Sequence, residues 1–173
     1  MKNLIFKIKW LLKFRLSLGS IKEKRIAIVV DNFIDDASGR QALDLYNFYL
    51  GKGYTPFILC AFNKAPMGRY LKDLRHIYIF NNSPEIFVQF CHRKQINILH
   101  YVDKDLMLNA AHQFGFKIIF SLCTLQDPGL AQRLSAADCV VFADSGIADA
   151  YSAMGFGGNG SVLAPETDYT ENL

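Results

Sequence analysis

Short apolar runs that recur at intervals of 20 to 30 residues, each followed by a segment of helical spacing, constrain this chain more than any other feature. The first run, Arg25-Ile-Ala-Ile-Val-Val30, is continuous instead of alternating, which is the pattern of a parallel strand buried on both faces. After a polar loop over 31–38, Ala42, Leu43, Tyr46, Tyr49 and Leu50 recur at helical spacing until Gly51 and Gly53 stop the helix. Further strands are predicted at Tyr54 to Ala61, His76 to Phe80, Ile96 to Tyr101, Phe116 to Cys123, Asp138 to Ala143 and Ser161 to Ala164. Helices are predicted between them at Pro66 to Leu74, Pro84 to Gln95, Lys104 to Gln113, just after Asp127-Pro128-Gly129, and at Ser145 to Met154. Ser83-Pro84-Glu85 is a particularly clear start: a hydroxyl to cap, proline at the first helical position and an acid at the positive end of the dipole. Strands alternating with helices in this way predict a doubly wound, mostly parallel α/β sheet.

Ligands of such sheets gather beyond the carboxyl ends of the strands, where the strand order reverses. That rule selects Asp31 to Arg40, His100 to Asp103, Cys123 to Asp127 and Asp144 to Gly146 as one candidate rim. Ser38, Gly39 and Arg40 sit where a helix start offers backbone N–H groups and a cation to a phosphate. Asp31, Asp35 and Asp36 precede that helix and are expected to cap it, not to bind metal.

The rest of the chain narrows the function classes. Of 173 residues, the first 25 carry eight basic side chains and one acidic one, leaving 11 basic against 15 acidic, a net −4, for the other 148. A mildly acidic body argues against nucleic acid as a partner. Cys60, Cys91, Cys123 and Cys139 show no CxxC pairing and no histidine at zinc-finger spacing, so reduced, buried thiols of a cytoplasmic protein are expected, and no metal site. Residues 1–23 form a separate extension, of which Met1 to Leu18 is an apolar segment broken every few residues by Lys or Arg. A membrane span needs about 20 predominantly apolar residues, so this segment is expected to be a helix that lies on an anionic membrane surface, or packs on the domain or on a partner.

Taken in order, the segments from Lys24 to Asp168 resemble the N-terminal domain of a GT-B glycosyltransferase of the retaining family-four group. Ser38-Gly39, an apolar helix and Gly51-Lys52-Gly53-Tyr54 are similar to the Gly-Gly, helix, Leu-x-x-x-Gly-His opening of that domain. Ile98-Leu99-His100 resembles its Asp-Val-Val-His strand end, and Ile118 to Cys123 its Val-Val-x-Thr-x-His strand. Ala137 to Ser145 resembles Ala-Asp-x-Val-Ile-x-x-Ser, and Ser161 to Asp168 the Val-Ile-Pro-Asn-Gly-Val-Asp segment before the second domain. Val102 and Cys123 stand where the family often has histidine.

The resemblance implies that residues 24–173 are a Rossmann-like, acceptor-side half of the enzyme. His100 and Asp103 would orient acceptor hydroxyls, and Ser38, Gly39, Arg40, Cys123, Asp127 and Ser145 would line the substrate or phosphate site. It also implies a nucleotide-diphosphate sugar as donor, held mostly by a C-terminal half that 173 residues do not include, so no cofactor is expected on this half alone. Transfer to a membrane-associated glycan or lipid-linked acceptor would then need that half from a partner chain or from a downstream continuation, at the inner face of the membrane. The competing expectation is a catalytically silent binding module at the same surface.

Overall fold

The computed structural model describes residues 25–162 except 63, 72, 73, 126 and 159. The N-terminal segment expected to lie on a membrane and the stretch from 163 to Asp168 lie outside the described residues. Seven strands form one sheet: β1 (Ile26–Val30), β2 (Phe57–Cys60), β3 (Ile77–Ile79), β4 (Ile98–Val102), β5 (Lys117–Leu122), β6 (Cys139–Phe142) and β7 (Gly160–Val162). Their order is β3-β2-β1-β4-β5-β6-β7, and every neighbouring pair is parallel. The chain winds outward from β1 in one direction, crosses back to β4 and winds outward in the other, so the switch point lies between β1 and β4. This is a Rossmann-like doubly wound sheet.

Alternate residues of the strands feed two separate cores. One face packs Ile28, Ile58, Ile98 and Ile119 against Ala42, Tyr46 and Tyr49 of helix α1 (Ala37–Gly51). The other packs Val29, Leu59, Leu99 and Phe120 under α2 (Pro84–Lys94), α3 (Leu108–Phe114), α4 (Leu130–Arg133) and α5 (Ser145–Ala153). All five residues of β1 are fully buried, as its uninterrupted apolar run requires of a central strand covered on both sides.

Local chemistry sets the helix ends. Ser83 caps α2 by accepting from the Ile86 N–H at 3.3 Å, and Gly115, at φ +80°, ends α3 in the left-handed region that glycine enters without strain. Two expectations differ from the structure. The helix expected at Pro66 to Leu74 is a pair of 3-10 turns, Pro66–Tyr70 and Leu74–His76, with Gly68 inside the first. The helix expected from Lys104 begins only at Leu108, because Asp103 and Met107 take φ values of +58° and +59° and break the path into it.

Candidate functional site

The carboxyl edge of the sheet is organised around one side chain. Asp103 follows β4 immediately, and its left-handed backbone turns the carboxylate back toward the switch point, where it is fully buried. Its Oδ2 accepts from Ser38 Oγ at 2.6 Å, while Oδ1 accepts from two successive backbone groups, Cys123 N at 2.7 Å and Thr124 N at 3.2 Å. Three donors face one carboxylate, so hydrogen bonds offset the cost of burying it. The result fastens three connections together: the start of α1, the end of β4 and the exit of β5.

The start of α1 is closed by its own chain. Asp36, extended at φ −128°, caps the helix by accepting from Gly39 N at 2.8 Å. Gly39 is buried, and a Cβ there would stand 1.8 Å from the Ile34 carbonyl oxygen, so the loop's close approach is what requires glycine. Arg40 is exposed and paired with Asp35 at 2.6 Å. Asp31 accepts from the Asn32 N–H at 2.7 Å. The three loop aspartates therefore act as local acceptors and a cap.

His100 lies in the middle of β4, fully buried on the α1 face, and not on the rim where the strand end was expected. Tyr49 Oη of α1 stands 2.7 Å from its Nδ1, and Ser121 Oγ of β5 stands 2.6 Å from its Nε2. Burial lowers its pKa to about 3, so the imidazole is neutral, with one nitrogen donating and the other accepting. A serine, a histidine and an orienting hydroxyl in line have the connectivity of an activated nucleophile. Their burial argues otherwise: the base is far too weak at neutral pH, and Ser121 is only 3% exposed. The trio joins α1 to β4 and β5.

Above Ser121 a crevice between α1 and the ends of β5 and β6, lined by Gln41, Ser121, Leu122, Cys123, Val141 and Ala143, is too narrow to admit a water molecule. Cys123 is half-buried, and burial together with the negative charge of Asp103 pushes its thiol up to about 12, which leaves it protonated and unreactive at neutral pH. Asp127 is exposed, accepts from Gly129 N at 3.2 Å and lies 3.6 Å from Arg133, whose Nε also binds Asp105. Ser145 is exposed at the first position of α5, where Asp144 caps Ile147 N at 2.9 Å.

The structure thus gathers Ser38, Asp103 and Cys123 in one cluster, with Gly39 packed behind it and Arg40, Asp127 and Ser145 on the outer rim. Sequence reasoning missed Tyr49, Ser121 and Gln41. Ser121 shares the parity of Ile119 and Cys123 along β5, which assigns it to the α1 face; the separation of 51 residues between Tyr49 and His100 carries no local signal. Among the described residues no group of three or more His, Cys, Asp or Glu side chains is placed to hold a metal ion, and no helix is long and apolar enough to cross a membrane. No protein-family model matches the sequence, and no curated protein is significantly similar to it.

Proposed function

We propose that this chain is the acceptor-side half of a GT-B glycosyltransferase, which takes a sugar from a nucleotide-diphosphate donor onto a membrane-associated glycan or lipid-linked acceptor only with a donor-binding half. The observation that carries this reading is convergence. Three of the segments that resemble the family, at Ser38-Gly39, Ile118 to Cys123 and Ala137 to Ser145, end at the same carboxyl edge on either side of the switch point, while Ile98 to His100 ends inside β4. In this reading His100 and Asp103 are positioning residues, because both are fully buried, and acceptor hydroxyls meet the exposed outer rim at Arg40, Asp127 and Ser145 instead. The basic, apolar residues 1–18 would hold the domain at an anionic membrane surface.

Titration of the isolated chain with neutral oligosaccharides, followed by backbone amide NMR, tests the reading. Shifts confined to the edge around Arg40, Asp127 and Ser145 are expected, with no saturable response to nucleotide-diphosphate sugars. Nucleotide-sugar binding by this chain alone, or saccharide responses elsewhere on the sheet, would overturn it. Sedimentation with anionic liposomes should pellet the full chain and leave a chain starting at Lys24 in solution; equal pelleting removes the membrane role.

A second reading has its own support. A silent interaction module fits a domain whose His100 and Asp103 are both enclosed and hydrogen-bonded within the chain. The two readings part on transfer: with a donor-binding half supplied, only the first gives glycosylated product.

A further inference from the structure

Two consecutive backbone N–H groups and a hydroxyl converging on one point make an anion cradle, the arrangement by which loops of parallel sheets commonly grip phosphate. Here Cys123 N, Thr124 N and Ser38 Oγ converge at the switch point, and the anion they hold is the chain's own Asp103. We propose that Asp103 is a built-in anion that fills this cradle permanently, so that the ligand edge takes an uncharged, hydroxyl-bearing saccharide and excludes phosphate. The saccharide half rests on the function proposed above; the occupied cradle does not.

The surroundings repeat the same device. Gly39 N at the start of α1 is held by Asp36 at 2.8 Å, Ile147 N at the start of α5 by Asp144 at 2.9 Å, and Gly129 N before α4 by Asp127 at 3.2 Å. At each place an N–H group that could meet a phosphate oxygen meets a carboxylate of this chain. The arginines nearby are matched as well, Arg40 by Asp35 and Arg133 by Asp105 and Asp127. An incoming phosphate would face these carboxylates with Arg40 and Arg133 already paired, and like charges at such range repel. A sugar hydroxyl would instead donate to them. On this view Ser38, Gly39 and Arg40, expected from the sequence to contact phosphate, serve the edge's own architecture, and the donor's diphosphate is gripped by the other half.

Excision of the side chain tests the cradle directly. At φ +58° glycine carries no backbone penalty, so Asp103→Gly removes the carboxymethyl group and little else, and acetate is the fragment removed. The variant should melt roughly 10 °C below the unaltered chain in chloride buffer. Acetate at equal ionic strength should restore most of that loss, with no such gain in the unaltered chain and a smaller one in Ser38→Ala/Asp103→Gly. Acetate that leaves the variant's Tm where chloride does, or raises both proteins equally, overturns the built-in anion.

Inorganic phosphate supplies the second arm. It should leave the Gly39, Cys123 and Thr124 amide signals of the unaltered chain in place, and saturable shifts there would overturn the exclusion. If Asp103→Gly is not recovered folded, Asp103→Asn keeps the shape and one acceptor oxygen while removing the charge. Phosphate should then move edge amides in that variant alone, and an equal response in both proteins refutes the charge argument. Acetate rescue combined with no saccharide response would keep the filled cradle and overturn the glycan assignment, so the two failures are distinguishable.

Discussion

His100 and Tyr101 are neighbours in β4, and the pleat sends them to opposite faces of the sheet, where both are fully buried. On the α1 face, His100 has hydrogen-bond partners at both ring nitrogens, Tyr49 and Ser121. On the other face, the Tyr101 ring stacks on Phe120 with centroids 5.8 Å apart and planes 5° from parallel, but its hydroxyl finds no hydrogen-bond partner among the described residues. Burial raises the pKa of that phenol well above its ordinary value, with Cys91 and Asp105 adding to the effect. One face therefore completes a polar junction inside an apolar core, and the other tolerates an orphaned hydroxyl for the sake of an aromatic ring. Polarity at depth has a structural use only where its partners are built in with it.

Substitutions can break this contrast. His100→Ala should cost most, about 3–5 kcal/mol in urea unfolding, because it opens a cavity and leaves the Tyr49 and Ser121 hydroxyls facing it. Acid should act on the same junction. Burial lowers the folded pKa of His100 to about 3, below the ordinary imidazole value, so the unfolded chain takes up a proton that the native chain refuses. The stabilisation is complete above about pH 6.5 and is lost by about 1.4 kcal/mol per pH unit as pH falls toward 3. Urea midpoints that do not change between pH 7 and 5 would break the comparison. Ser121→Ala, which leaves Nε2 without its partner, should cost about 1–3 kcal/mol. Tyr101→Phe removes only the orphaned oxygen and should change stability by less than about 0.5 kcal/mol or raise it. A large loss there would mean that the hydroxyl is satisfied after all.

The alternation of apolar runs and helical segments was enough to read the parallel sheet and most of its elements, because a strand buried on both faces cannot hide its composition. The neighbourhood of the candidate residues was legible in the sequence, and their partners were not. The sequence pattern closes β4 at Tyr101 and so puts His100 at a strand end; in the structure Val102 extends the strand, and His100 lies inside it at the parity of Ile98, toward α1. Asp103 was found by its place in the chain, yet its donors come from residues 65 and about 20 positions away, a pairing set by strand order and invisible to spacing. Gly39 is required by the Ile34 carbonyl against it, a contact that no local pattern announces. A local pattern reports which backbone a residue can adopt, and only the assembled fold reports what that backbone is pressed against.

The position of β1 has a consequence for synthesis. Its neighbours are β2, which follows directly, and β4, whose pairing Ile26↔Ile98 spans nearly half the chain. A nascent chain that has completed β3 still presents one edge of β1, a row of wholly apolar residues, with nothing to pair it. At roughly 5–20 residues per second, the further stretch to the end of β4 takes about one to five seconds. A chain halted before Ile98 should accordingly pellet on centrifugation, whereas one that includes β4 should be recovered in the supernatant. The central strand, the most protected element of the finished domain, is thus its most vulnerable one during birth on the ribosome.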